Sequence, residues 1–310
     1  MFRGYQLRIL GMPVVKLAII LGLCAIPLFG QAEWPKPNWE KAESLDCRQS
    51  DRTVSKTVGK YEIELVPGVD SSFHDPSSHD PSSHDQDCRA YLVDPAGRKT
   101  FLLKDWGISI HEGTGKDVFG DGNPSLILEG YSGGAHCCYT YRIASLGEHP
   151  VILSPIKNEA PFYVFQDPAT QRYRIMTSDG AFDYFDGLCH ACAPMPRVVL
   201  EADRRGLHDV SPQFAEQYDG EIALARAKIG EGDMEKFLTS DFADAKGTVL
   251  EIVFSYLYSG REAEAWQALD EMWPAADRER VKQLILKTRG EGILARIRKT
   301  RPDSPAQQAR

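Results

Sequence analysis

The sequence predicts an α+β protein: an antiparallel β-meander of hairpins, like those of propeller blades, followed by a small α-helical hairpin domain. Three observations carry this expectation. Short period-two segments separated by Asp-Pro turns recur through residues 45–210, the spacing of apolar residues becomes helical after Pro212, and after residue 32 no apolar run is long enough to span a bilayer.

In chain order, Tyr61-Glu-Ile-Glu-Leu-Val66 alternates as a half-buried strand does. Ala90–Val93 and Lys99–Lys104 flank Asp94-Pro-Ala-Gly97, a strand, a turn in which Asp and Gly supply the special backbone, and a second strand. The same order recurs with Phe162–Phe165, Asp167-Pro-Ala-Thr170 and Tyr173–Met176, and again where Arg197–Glu201 is turned by Gly206. Beyond Pro212, Glu221–Ile229 has helical spacing. Val249–Tyr258 sets Leu250, Val253, Phe254 and Leu257 on one face and is closed by Ser259-Gly260, Ala263–Met272 opens the next helix, and Pro274 and Asp277 start a third with Val281, Leu284 and Ile285 apolar. A helix, a glycine turn and an Ala/Trp-rich helix resemble a single tetratricopeptide-like hairpin; the alternative is a helical cap packed on the β-domain. The chain thus divides into 1–32, a proline-rich lead at 33–44, a β-rich domain at 45–210 with a repeat loop at 71–87, a helical domain at 211–300 and a disordered tail at 301–310.

Residues 1–32 have the order of a secretory signal. Arg3, Arg8 and Lys16 precede the apolar Leu17–Phe29, and Gly30-Gln31-Ala32 offers a small-residue cleavage site after Ala32. The apolar run falls short of the ~20 residues a spanning helix needs, and Pro27 interrupts it. An uncleaved membrane anchor is the alternative, and Leu23 before Cys24 does not suit a lipobox. The expected product is an exported protein, periplasmic or extracellular, with no membrane span after cleavage. The formal net charge of −8 for the full chain gives no basic field for a phosphate backbone, which excludes a nucleic-acid partner.

Of seven cysteines, Cys24 leaves with the leader, so six remain: Cys47, Cys88, Cys137, Cys138, Cys189 and Cys192. An even number in an exported chain is what a disulfide framework requires. The expected pattern ties the vicinal Cys137-Cys138 to Cys189 and Cys192 and leaves Cys47 to pair with Cys88.

The segment Asp117-Val-Phe-Gly-Asp-Gly-Asn-Pro-Ser125 precedes a strand and resembles the metal loop of FG-GAP or VCBS repeats. That resemblance implies calcium held by Asp117, Asp121 and Asn123, although Phe119 and Ser125 stand where the family has stronger oxygen donors; in the alternative, a metal-free turn, Asp117 and Asp121 accept backbone N–H groups. With Gly130-Tyr-Ser-Gly-Gly-Ala-His-Cys-Cys-Tyr-Thr-Tyr141, Asp183-Tyr-Phe-Asp-Gly187 and Pro196-Arg-Val-Val-Leu200, residues 115–205 resemble a group of bacterial exported proteins of unknown function that carry one FG-GAP-like unit. The resemblance implies no activity.

His136 beside two cysteines admits three readings: it lowers a thiol pKa, it joins Cys137, Cys138, Cys189, His190 and Cys192 in a zinc site, or it sits beside disulfides. The third suits an oxidising compartment. Cys189-His-Ala-Cys192 has the CxxC form of thiol–disulfide oxidoreductases and zinc knuckles, but it lies between a turn and Pro194-Met-Pro196 rather than at the start of a helix. The tandem His-Asp-Pro-Ser-Ser repeat places His74, His79 and His84 at equal intervals, which would suit a divalent metal or a tolerated expansion. No G-x-S-x-G, H-E-x-x-H or Walker sequence is present. The reading that follows is a non-catalytic exported protein that binds a protein or carbohydrate partner or serves the envelope structurally. Its alternatives are a thiol–disulfide enzyme and a zinc protein built on Cys137, Cys138, Cys189 and Cys192.

Overall fold

The computed structural model describes residues 33–35, 45–49, 52–68, 87–133, 138–229 and 243–300. The leader, most of the proline-rich lead, the repeat with His74, His79 and His84, the residues His136 and Cys137, and the tail at 301–310 lie outside them. All described residues belong to one compact unit, and none of its helices is long and apolar enough to cross a membrane.

The expected α+β order is present: antiparallel sheets of hairpin strands come first and helices follow. Three sheets are each laid down in chain order. The first is β1 (Val54–Val58), β2 (Tyr61–Val66), β3 (Cys88–Val93) and β4 (Lys99–Asp105). The second is β5 (Gly107–Ile110), β6 (Ser125–Tyr131), β7 (Tyr139–Ser145) and β8 (Val151–Ile152), with β9 (Ile156–Asn158) also on β7, and the third is β10 (Tyr163–Gln166), β11 (Tyr173–Ser178), β12 (Arg197–Asp203) and β13 (Gly206–Asp209). Every pairing is antiparallel.

The two Asp-Pro turns are built alike. Asp94 accepts hydrogen bonds from the backbone N–H of Ala96 and Arg98 at 2.9 Å, with Gly97 at φ +78°. Asp167 accepts from Ala169 N–H at 3.0 Å and from the Thr170 hydroxyl at 2.6 Å, with Gln171 at φ +60°. In each turn a carboxylate satisfies donors that the reversing backbone leaves without a ladder partner.

The second sheet is a middle layer. Leu126 and Leu128 of β6 join a core with Ile63, Leu65, Leu92 and Leu102 of the first sheet, whereas Ile127 between them faces Val164, Ile175 and the helices. Period-two geometry sends neighbouring residues to opposite faces, so a strand buried on both reads as an unbroken apolar run.

The helices are α1 (Ala215–Lys228), α2 (Ala243–Tyr258), α3 (Glu262–Met272), α4 (Arg278–Glu291) and α5 (Ile293–Thr300). The predicted stripe Leu250, Val253, Phe254 and Leu257 is at most 1% exposed, and α2 ends on Gly260 at φ +82°. Leu250, Val253 and Phe254 share one continuous core with Val198, Val199 and Leu200 of β12, so the helices cap the third sheet directly. Trp34 anchors the proline-rich lead to this region. Its ring stacks on Phe214 at 6.1 Å and meets Tyr218 edge-on at 4.9 Å.

Candidate functional site

The cysteines divide into two kinds of bridge. Cys47 is bonded to Cys88 across 41 residues, as expected, and both are buried, at 0% and 2% exposure. The expected tie from Cys137-Cys138 to Cys189 and Cys192 is not formed: Cys189 and Cys192 are bonded to each other, three residues apart. The reason is local. Cys192 and Ala193 both donate backbone N–H bonds to the Cys189 carbonyl at 2.9 Å, and this tight turn brings the two sulfurs together. Cys138 is disulfide-bonded as well, and not to either of them. The zinc reading therefore lacks thiolates at Cys138, Cys189 and Cys192, and no group of three His, Cys, Asp or Glu among the described residues is arranged to hold a metal. His190 Nδ1 lies 2.8 Å from Asp183 Oδ1.

In the turn from Asp117 to Ser125 the carboxylates serve the backbone. Asp117 accepts from the N–H of Asp121 at 3.0 Å and of Gly122 at 2.9 Å, and Asp121 accepts from Asn123 N–H at 3.1 Å and from the Ser145 hydroxyl at 2.8 Å. Burial acts to raise the Asp121 carboxyl, but the hydrogen bonds from Ser145 and Asn123 and the charge of Arg204 leave it below the ordinary value. Phe119, at the third loop position, is 4% exposed and part of the core. The Asn123 amide donates its own N–H to Asp121 Oδ1 at 3.1 Å. Asp117, Asp121 and Asn123 are thus brought together in one turn, bonded to its backbone and to one another.

A cleft of about 730 Å³ opens where the CxxC turn and the start of β12 meet α1 and α2. Arg197 on β12 donates from Nε to Glu221 Oε1 of α1 at 2.6 Å, and the Ser255 hydroxyl of α2 approaches the other carboxylate oxygen at 3.4 Å. Lys228 and Glu251 pair across the cleft at 3.6 Å. Burial, with the nearby Glu221 charge adding to it, raises the Glu251 carboxyl above its ordinary value, against the pull of Lys228. Met195, Ile229 and Phe254 supply apolar lining, and Cys192 stands at the edge. Packing there is close: a Cβ on Gly247 of α2 would lie 2.7 Å from the Cys192 carbonyl oxygen.

No family model, curated protein or solved structure matches this chain.

Below the cleft lies a buried polar joint that periodicity did not single out. Asp179, 0% exposed after β11, accepts from Ala181 N–H at 3.3 Å, from Ile293 N–H at 3.1 Å and from the Tyr258 hydroxyl at 2.6 Å. It ties the third sheet to α2 and to the start of α5, and the contact is so close that Gly292 has no room for a Cβ. Arg197, Glu221 and Glu251 were likewise missed as a set. The available signal was Glu251, the one acid within the apolar run Val249–Phe254.

Proposed function

We propose that this chain is an exported binding protein whose cleft between β12, α1 and α2 receives an extended segment of a protein partner. The observation that carries the reading is the cleft itself: about 730 Å³, within the usual range for ligand sites, with a largely polar wall that mixes apolar side chains with charges of both signs held at fixed positions by one another. An extended peptide offers alternating N–H and C=O groups with apolar side chains between them, which suits such a wall. A carbohydrate suits it less well, because the one aromatic ring among the lining residues, Phe254, is 1% exposed and offers no open face. Export is supported by the leader-like residues 1–32 and by buried disulfide bracing at Cys47–Cys88. The turn from Asp117 to Ser125 followed directly by β6 supports reading this part as a single FG-GAP-like unit, used here as scaffold.

The reading is tested by displaying a random decapeptide library against the purified protein and against Thr248→Trp, a substitution that fills the cleft from α2. Selected peptides should bind the wild type at least tenfold more tightly than the variant. Enrichment of peptides that bind both proteins equally, or of none, would reject the cleft as a peptide site. Cell fractionation tests export separately, and recovery of full-length protein in the cytoplasm would reject it.

A further inference from the structure

We propose that the Cys189–Cys192 disulfide is a thiol–disulfide exchange site acting on cysteine-bearing protein segments. The inference goes beyond the binding reading and does not depend on it.

Four observations converge on this pair. As a brace it does less than the other: its bond closes a loop with a sequence separation of 3, against 41 for Cys47–Cys88, so by chain entropy it shifts the folding equilibrium about thirtyfold less. Second, access differs. Cys189 is exposed and Cys192 half-buried, while Cys47 and Cys88 lie in the core. Third, the residue after Cys189 is His190, whose Nδ1 lies 2.8 Å from Asp183 Oδ1. With its Nδ1 proton given to that carboxylate, Nε2 carries the lone pair that takes a proton from an incoming thiol. Finally, the segment leading into the pair holds Tyr184 at φ +54° and Asp186 at φ +51°, left-handed backbone that side-chain-bearing residues adopt at a cost. It is held there by Arg280 on Asp186 at 2.6 and 3.0 Å and by Lys246 at 3.6 Å. Such strain concentrates at functional segments, and the packing of Gly247 against Cys192 fixes the second cysteine while leaving the first outermost.

The chemistry balances as follows. A thiolate of the partner attacks Cys189 Sγ, forming a mixed disulfide, and the bond to Cys192 breaks with Cys192 leaving as a thiolate that takes up a proton. The partner's second thiolate attacks its own sulfur in the mixed disulfide, closing the partner's disulfide and releasing Cys189 as the second thiol. Two electrons pass from the partner dithiol, which is oxidised, to the Cys189–Cys192 pair, which is reduced. A low-molecular-weight disulfide restores the pair by the reverse sequence.

The test uses the full chain and a reduced peptide carrying two cysteines, mixed at pH 7, quenched by alkylation at intervals and read by mass spectrometry. Cys189 and Cys192 should become alkylated at least roughly a hundredfold faster than Cys47 and Cys88, which open only with the fold. One peptide disulfide should form per pair reduced, with near-ultraviolet circular dichroism retained. A Cys189–Cys192 bond that stays closed, or opens no faster than Cys47–Cys88, overturns the proposal. His190→Gln should slow the exchange about tenfold with unchanged circular dichroism; a rate within about twofold of wild type overturns the role given to His190.

Discussion

Replacing Asp179 by alanine should cost more than any surface change, and the amount can be worked from its partners. Three donors converge on the fully buried carboxylate: the Tyr258 hydroxyl at 2.6 Å, Ile293 N–H at 3.1 Å and Ala181 N–H at 3.3 Å. Alanine leaves all three without an acceptor. A buried donor stranded in this way costs about 1–3 kcal/mol, the longest bond the least, so the loss should reach about 4 kcal/mol. Tyr258→Phe strands only one carboxylate oxygen and should cost about 2 kcal/mol. Because both changes remove the same bond, the double variant should fall short of their sum by about 1–2 kcal/mol. Urea unfolding with the disulfides intact measures all three, and an m-value near 3 kcal/mol/M would put the Asp179→Ala midpoint about 1.3 M below wild type. A loss below about 1 kcal/mol would refute the joint. Titration gives a second reading. Burial raises the Asp179 carboxyl above its ordinary 3.8, despite the hydrogen bonds from Tyr258, Ile293 and Ala181. The stability that a raised acid contributes is complete below 3.8 and is lost as pH climbs through the raised value. Asp179→Asn should lack that decline, and a variant whose stability follows the wild-type pH curve would refute the assignment.

Three further outcomes follow from the packing. Removing Cys47–Cys88 by double alanine substitution should cost about 4 kcal/mol and removing Cys189–Cys192 about 2 kcal/mol, from the entropy of loops closed over separations of 41 and 3; equal costs in chemical unfolding would contradict the division into brace and exchange site. Gly247→Ala should destabilise by about 1–2 kcal/mol, because a Cβ 2.7 Å from the Cys192 carbonyl oxygen outweighs the ~1 kcal/mol that alanine otherwise gains in a helix; a higher melting temperature would count against it. Trp34→Ala should cost about 2 kcal/mol through the lost contacts with Phe214 and Tyr218, and calorimetry showing an unchanged transition would mean that the lead is not anchored there.

Elements with strong local grammar were legible in the sequence. Tyr61–Val66 is β2 to the residue, and the Asp94 and Asp167 turns close hairpins as their Asp-Pro sequences require. In α2 the stripe of Leu250, Val253, Phe254 and Leu257 is buried as its spacing predicts. What escaped notice lacked a periodic signature. Val54–Val58 carries exposed Ser55, Lys56 and Thr57, buries fully only Val58 and pairs along its length with β2. Ile293–Thr300 is a helix of eight residues, too short to read against the basic residues in it, and its start depends on Asp179, more than a hundred residues earlier. The candidate site escaped for the same reason. Arg197, Glu221 and Glu251 meet only after β12, α1 and α2 have packed, and nothing in the spacing of the three announces the pairing. For the cysteines, order along the chain paired Cys47 with Cys88 but missed the local turn that closes Cys189 on Cys192.

Because each sheet is assembled from strands adjacent in the chain, the protein is suited to folding from one end. A polypeptide delivered amino terminus first can lock Cys47 to Cys88 once β3 has emerged, and finish the first sheet once β4 has. The second sheet can then settle against it through Leu126 and Leu128. The third has no such independence. Val198, Val199 and Leu200 share their core with helices that arrive later, so a chain halted near residue 210 would present that apolar face to solvent. The interval between the emergence of β13 and the docking of α2 is therefore when association with other chains, or capture by a chaperone, would compete most strongly with folding.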